Sequence, residues 1–335
     1  MGHATAAADA IAGRAPRVDF DALMRAHRRE LLVHCYRMLG SWTDAEDCVQ
    51  EVSLRAWRGL ARFQGRASAR HWLYRIATNV CLTARRSRAR RSLPEIEVGP
   101  AAAGSAPGPP IEEARWIEPM PVDAEAVLSA RETVSLALLV ALQRLAPRQR
   151  AALLLRDVVG YETHEVADIL GTTTAAVHSA LARARARMGS SRETETNARP
   201  DRGQRATLKR YVEAWEAGDV RALVALFSHD AVVSMPPFAT WYRGRAAIAR
   251  WIAEEVLAGG RSFRVFPTRA NGPHAFAFYK SGPPCLPGEV AQETYEPHCI
   301  QLVWLERGRI ARVVSFLSPR LVRAFGFGLR PPRKN

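Results

Sequence analysis

Thr43-Asp44-Ala45-Glu46-Asp47-Cys48-Val49-Gln50-Glu51-Val52-Ser53-Leu54-Arg55-Ala56-Trp57 is the stretch whose reading opens the fold. Thr43 followed three residues later by Glu46 is a capping-box pattern, and it predicts a helix over 44–57. Cys48, Val49, Val52 and Ala56 recur at helical spacing and should face a core. Asp47, Gln50, Glu51 and Leu54 share another face. An apolar Leu54 beside acids and an amide suits a contact surface, and the spacing alone suits an ordinary solvated face as well.

Just downstream, Phe63-Gln64-Gly65-Arg66-Ala67-Ser68 leads into a second helix that Ser68 can cap. Leu73, Ile76, Ala77 and Val80 form its core stripe. Trp72, Asn79 and Arg86 fall on a different face, with Arg75 beside them. Such a set can serve single-stranded nucleic acid: the ring stacks on an unstacked base, the amide reads its edge, and guanidinium groups hold phosphates. Stacking contributes roughly 1–3 kcal/mol per base. Trp72 and Tyr74 can instead be core aromatics, and Tyr74 is expected to be one. The helix ends in Arg85, Arg86, Arg88, Arg90 and Arg91. Like charges this dense repel unless an anion neutralises them, which points to phosphate contact.

The rest of the chain widens this reading. Its 335 residues exceed one ordinary domain, and 47% hydrophobic residues permit sizeable cores. A formal net charge of +15 suits a polyanionic partner. The five cysteines, Cys35, Cys48, Cys81, Cys285 and Cys299, show no CxxC spacing, so neither a disulfide framework nor a metal site is indicated, and no cofactor is expected. Residues 1–16 lack the apolar core of a signal peptide, and no apolar run reaches the roughly 20 residues of a membrane span. A cytoplasmic protein without membrane partners is expected.

Composition divides the chain into a disordered N-terminus (1–16), a helical unit (17–92), a flexible Pro/Gly/Ala-rich linker (93–126), a second helical unit (127–189), a polar linker (190–203) and a C-terminal unit (204–331). Two basic helical units on a tether that extends to roughly 110 Å can grip one long ligand at two points.

In the second helical unit, Pro147 is placed for the first turn of a helix, and Gly160 closes the apolar run Ala151–Val159. Thr163 can cap a short helix, His164–Leu170. Gly171-Thr172-Thr173 turns the chain, and a further helix runs through Met188 with Val177, Leu181, Ala184 and Met188 inward. This is the helix-turn-helix pattern. Thr174, His178 and Ser179 can reach base edges in the major groove, and Arg183, Arg185 and Arg187 can reach phosphates.

Asp44-Ala45-Glu46-Asp47 with Gln50-Glu51, then Phe63-x-Gly65, then Trp72-Leu73-Tyr74-Arg75-Ile76-Ala77-x-Asn79, resembles region 2 of extracytoplasmic-function RNA polymerase sigma factors. The helix-turn-helix that follows resembles region 4 of the same family. The resemblance implies that Asp47, Gln50, Glu51 and Leu54 dock on the clamp coiled coil of the polymerase β′ subunit. It implies that Arg66, Trp72, Arg75, Asn79, Arg85 and Arg86 serve the −10 promoter element. It also implies that the second unit reads the −35 element through Thr174, His178, Ser179, Arg183, Arg185 and Arg187 and contacts the β flap.

From 204 onward the period switches from 3.6 to 2. Leu208, Tyr211, Val212 and Trp215 mark an amphipathic helix, and 246–256 a second one. Strand-like runs fall at 230–237, 263–268, 275–280, 299–306 and 310–316, with Arg307-Gly308-Arg309 as a tight turn. Helices followed by a curved antiparallel sheet resemble the cone-shaped α+β fold of SnoaL-like and NTF2-like domains. The expected architecture is therefore multidomain: two all-α units and an α+β cone. That fold implies a conical pocket for a small-molecule ligand, with Trp215, Met235, Phe238, Trp241, Tyr242, His298 and Phe316 as candidate lining. His298 could be a base in such a pocket. The acid of enzymatic relatives has no counterpart in Phe316-Leu317-Ser318, which leaves Asp230 and Glu296. No catalytic residue is assigned. A transcription initiation factor, regulated by its C-terminal unit, accounts for more of the chain than an enzyme with a DNA-binding front half. It also accounts for more than a repressor, which would leave the Asp47 face and the Trp72 helix unexplained.

Overall fold

A computed structural model describes residues 19–63, 68–86, 91–102, 104–111, 115–122, 135–189, 201–272, 274–281 and 294–333, with Arg85 and Arg86 described by their backbone alone. The first unit is three packed helices, α1 (Phe20–Leu39), α2 (Trp42–Gly59) and α3 (Ala69–Arg86). Cys48, Val49, Val52 and Ala56 are buried as their spacing predicts. Cys35, Cys48 and Cys81, one from each helix, meet in this core. Hydrogen bonds among the three thiols, with burial, push the Cys81 thiol well up and hold it protonated. Ser68 caps α3 as expected, its Oγ accepting the His71 N–H at 3.1 Å. The cap of α2 differs from expectation: it is Ser41, whose Oγ accepts the Asp44 N–H at 3.1 Å. Thr43 lies inside the helix, and its hydroxyl donates to Glu118 at 2.8 Å.

The stretch read as a flexible linker follows a defined path in its described parts, with one helical turn, α4 (Pro94–Glu97). Its backbone bonds go to neighbours instead of to a regular ladder. Ile117 N–H donates to Ser92 at 3.0 Å and Ala101 N–H to Trp241 at 2.9 Å. Met120 N–H reaches the Asn271 side chain at 2.7 Å. Leu93, Ile117 and Met120 are buried.

The second unit holds α5 (Leu136–Gln143), α6 (Pro147–Leu153) with a wider turn through Leu154–Val159, α7 (Thr163–Leu170) and α8 (Thr174–Met188). Residues 127–134, also expected to be helical, lie outside the described residues, as do 1–18 and most of the second linker. The α7 cap is Glu162, one residue earlier than expected, with Glu165 Oε2 accepting its N–H at 2.7 Å. Thr173 caps α8, and Val177, Leu181 and Ala184 are buried. Arg150 of α6 is fully buried and bonds the carbonyls of Leu142 (2.7 Å), Gln143 and Leu145 (3.1 Å each), and that of Met38 at the end of α1. It fastens the second unit to the first.

The C-terminal unit begins with α9 (Arg202–Ala217) and α10 (Val220–Ala225), followed by β1 (Phe227–Ser234), β2 (Trp241–Arg243) and α11 (Arg245–Trp251). Then come β3 (Phe263–Thr268), β4 (His274–Ser281), β5 (Tyr295–Glu306), β6 (Arg309–Phe316) and α12 (Pro319–Ala324). The strands form one sheet in the order β2-β1-β6-β5-β4-β3, antiparallel except for β1 beside β6. Arg307 and Gly308 take positive φ, 49° and 77°, in the tight β5–β6 turn.

Alternation along the strands splits the sheet between two cores. Phe276, Phe278, Val303 and Val313 face α9 and α11 on the inner side. Ala277, Tyr279, Ile300, Leu302, Val314 and Phe316 face outward and share a core with α12 and the two helical units. Among the described residues no helix is long and apolar enough to cross a membrane.

Candidate functional site

Asp47, Gln50 and Leu54 line an exposed face of α2, with Leu54 52% exposed. Glu51 is half-exposed, its Oε1 2.6 Å from Arg55 Nε. Trp57, 64% exposed and edge-on to Phe20, extends this face by one turn, although spacing had not singled it out. One end of the face is occupied from within the chain. Arg320 of α12 grips the Asp47 carboxylate, with Nη1 3.0 Å from Oδ2, and donates to the Thr43 carbonyl at 3.3 Å. The bond to Asp47 raises the Arg320 pKa above its ordinary value.

On α3, Asn79 and Arg75 are exposed, while Trp72 is half-buried and stacks on Phe63 with ring centres 4.8 Å apart. Tyr74 is a core aromatic, only 3% exposed, with its hydroxyl donating to Glu30 at 3.2 Å and burial pushing its pKa up. Arg66 lies outside the described residues, and so do the side chains of Arg85 and Arg86. The N-terminal part of α3 is covered by the second unit. His71 Nε2 sits 2.9 Å from Asp168 Oδ2 of α7, and Arg75 Nη1 3.7 Å from the same oxygen. Tyr161 meets the His71 ring edge-on at 5.4 Å and the Tyr74 ring at 5.6 Å.

Thr174, His178, Ser179, Arg183 and Arg187 are exposed on α8. Arg183 donates to Ser179 Oγ at 2.7 Å. Arg185 is held by Asp157, Nη2 to Oδ1 at 2.7 Å, which raises its pKa. An exposed pair of this kind is worth little, so a phosphate can displace Asp157.

The inner face of the sheet, α9, and α11 with the turn after it line a partly open cavity of about 240 Å³. Trp215, Met235, Phe238 and His298 line it as expected. Trp241, Tyr242 and Phe316 do not, which corrects the expected lining. Phe316 falls on the outer face because β6 alternates, and its neighbour Ser315 takes the inner position. Trp241 Nε1 donates to the Val98 carbonyl at 2.8 Å, and the Tyr242 hydroxyl to the Ser105 carbonyl at 2.7 Å. Both therefore hold the linker. Trp251, Arg261, Phe263, Phe278, Lys280 and Ser315 are among the other residues of the wall, and Pro107 of the linker joins them.

His298 enters the cavity because β5 carries a bulge. Pairing passes from Phe278–Cys299 to Tyr279–Pro297, leaving His298 as the extra residue. Burial lowers its pKa to about 4, with help from Lys280 and Arg261, so the ring is neutral near pH 7. The carboxylate on the wall is Glu255, at the exposed rim; Asp230 and Glu296 are exposed and are not part of the lining. The Oγ of buried Ser315 has no hydrogen-bond partner among the described residues. Those residues also contain no group of three or more His, Cys, Asp or Glu arranged to hold a metal ion.

Asp168, Glu118, Arg150 and Pro107 carried no sequence signal, because each acts through a residue 40 or more positions away or through a buried backbone carbonyl. A parity rule could have found Ser315 once any inward residue of β6 was known.

Three family models match the chain: sigma-70 region 2 over residues 23–91, sigma-70 region 4 over 135–188 and a SnoaL-like domain over 208–313. The ECF RNA polymerase sigma factor SigG of Mycobacterium tuberculosis is 41% identical over 328 residues, covering 94% of this chain and 86% of that protein. ECF RNA polymerase sigma factor SigJ of the same organism is 30% identical over 240 residues, covering 70% and 71%. The crystal structure of M. tuberculosis SigJ superposes with a TM-score of 0.53 at 23% identity, over 91% of this chain and 98% of that one, a likeness of fold.

Proposed function

Because this chain belongs to the extracytoplasmic-function RNA polymerase sigma factors, we propose that the arrangement described above is a closed form that must open before the promoter is read. As a sigma factor it binds core RNA polymerase and directs it to promoter DNA. We assign promoter melting and −10 reading to the unit at 17–92, through Arg66, Trp72, Arg75, Asn79, Arg85 and Arg86. The −35 element goes to the unit at 127–189, through Thr174, His178, Ser179, Arg183, Arg185 and Arg187. Asp47, Gln50, Glu51 and Leu54 would meet the β′ clamp coiled coil, and the second unit the β flap. The C-terminal unit at 204–331 regulates and does not catalyse.

The observation that carries the closed reading is the contact of α3 with α7, His71 to Asp168 at 2.9 Å. The two promoter elements lie about 25 base pairs apart, roughly 85 Å at 3.4 Å per pair. Helices that read them cannot do so while the units touch. The pairing of Asp47 with Arg320 supports the same view, since it occupies the polymerase face from the C-terminal side. Truncating the C-terminal unit would also strip a core shared with the helical units, so the full chain is the proper material.

The test places one fluorophore at Arg55 on α2 and another at Ala186 on α8, both exposed. Energy transfer should be high in the free protein and fall on adding core polymerase with promoter DNA. Run-off transcription in the same mixture reports sigma activity. Unchanged transfer in a transcribing complex would defeat the closed reading.

A further inference from the structure

We propose that the cavity of the C-terminal unit binds a compact, mainly apolar carboxylic acid, and that linker residues 98–102 and 104–111 form its lid. The acid then holds the sigma factor shut. This rests on the closed form argued above and gives it a chemical signal.

The wall supports the ligand class. Trp215, Phe263 and Phe278 present aromatic surface, which suits a flat hydrocarbon body. The volume, about 240 Å³, equals roughly eight waters at 30 Å³ each. A one- or two-ring molecule fits such a space. Lys280 is half-buried on the same wall and makes no ion pair among the described residues. Its ammonium favours a carboxylate over a neutral or cationic group. Ser315 on the wall has a buried Oγ without a partner among the described residues, and a turn about its Cα–Cβ bond presents that hydroxyl to a second oxygen of the ligand. His298, neutral near pH 7, adds no charge, and the Arg261 guanidinium on the same wall offsets the Glu255 carboxylate at the rim.

The lid is fastened to residues 237 and 240–242, beside the lining residue Phe238. Val98 and Ser105 accept from Trp241 and Tyr242, Gly108 N–H donates to Thr240 Oγ1 at 3.0 Å, and Ile111 N–H to the Pro237 carbonyl at 3.0 Å. Between these ties Pro107 reaches the cavity itself. A molecule in the cavity therefore touches the linker that joins the two promoter-reading units. A ligand that binds only under the docked lid stabilises the docked state by mass action.

Calorimetry on the full chain with three probes tests this: 2-naphthoate, 2-naphthamide and 2-naphthylmethylammonium. The acid should bind, and the ammonium should bind at least about tenfold more weakly. Lys280→Gln should weaken the acid roughly tenfold and leave the amide unchanged. Ser315→Leu, which takes part of the ligand space and removes the hydroxyl, should weaken binding of all three at least about tenfold while thermal unfolding shows a folded protein. With the acid at ten times its Kd, amide exchange over 98–102 and 104–111 should slow about tenfold. Absence of binding by all three up to about 1 mM, or equal binding by the Ser315→Leu protein, overturns the site. Binding without slower exchange over those residues overturns the lid. Neither outcome depends on the energy-transfer experiment, so failure of the closed form is seen separately.

Discussion

Removing the Glu118 carboxylate should release the linker from the first helical unit. Glu118 Oε2 accepts from Ser41 Oγ at 2.7 Å, Thr43 N–H at 3.0 Å and Thr43 Oγ1 at 2.8 Å. All three donors sit at the N-terminus of α2, where the helix dipole also favours negative charge. A hydrogen bond to a charged group contributes about 1.5–3 kcal/mol. Three bonds sharing one carboxylate are not additive, and water recovers part of the loss, so Glu118→Ala should cost about 2–4 kcal/mol. At 1.4 kcal/mol per tenfold, the docked-to-undocked ratio falls roughly 30- to 700-fold. Ser41 keeps its capping bond to Asp44, so α2 itself should persist. Native-state hydrogen exchange reads the effect at Ile117, Met120 and Val122, whose N–H groups bond Ser92, Asn271 and Arg269. Their protection should drop by that factor, while Cys48 and Val49 in α2 hold theirs. Run-off transcription should rise in parallel, and Glu118→Gln should fall between. Protection at 117–122 unchanged within about twofold would refute the reasoning. An equal loss at Cys48 and Val49 would do so too, since it would mean global unfolding instead of undocking.

Arg150→Met removes the donor shared by four buried backbone carbonyls and the Gln143 side chain, of which the Leu142 carbonyl keeps the Leu145 N–H, and should lower stability by about 3–5 kcal/mol in denaturant unfolding. Arg150→Lys should not rescue it, because an ammonium lacks the planar fork that spans those carbonyls. Stability should also fall in acid. His34 and His298 have folded pKa values of about 3 and about 4, below the unfolded 6.5. The unfolded chain therefore binds more protons from pH 6.5 downward, and each group removes up to about 1.4 kcal/mol per pH unit until its folded pKa is reached. His298→Gln should reduce the slope of unfolding midpoint against pH between 6.5 and about 4, and an unaltered slope would show that His298 is not buried neutral. Cys35, Cys48, Cys81 and Cys299 are buried, and burial pushes the Cys299 thiol up as well. Peptide mapping after brief treatment with an aromatic disulfide reagent should find all four unmodified in native protein and modified in denaturant.

The sequence by itself determined the helices, most of the strands and the family. Each of those rests on local chemistry repeated at a fixed period: Cys48, Val49, Val52 and Ala56 along α2, Ser68 before α3, Thr173 before α8, and Arg307-Gly308 between β5 and β6. Local signals erred by a residue or two where two candidates competed for one cap. Ser41 displaced Thr43 because an acid from the linker took the Thr43 hydroxyl. Only the tertiary structure decided which face of a strand turns inward, as Ser315 against Phe316 shows, because a run such as Val313-Val314-Ser315-Phe316 is compatible with both parities. It also decided the partners of isolated charges. Asp168 with His71, Asp47 with Arg320 and Glu118 with Thr43 join residues 97, 273 and 75 positions apart. No periodicity reaches that far, since such pairs are set by how whole units pack and not by the chain's local preferences.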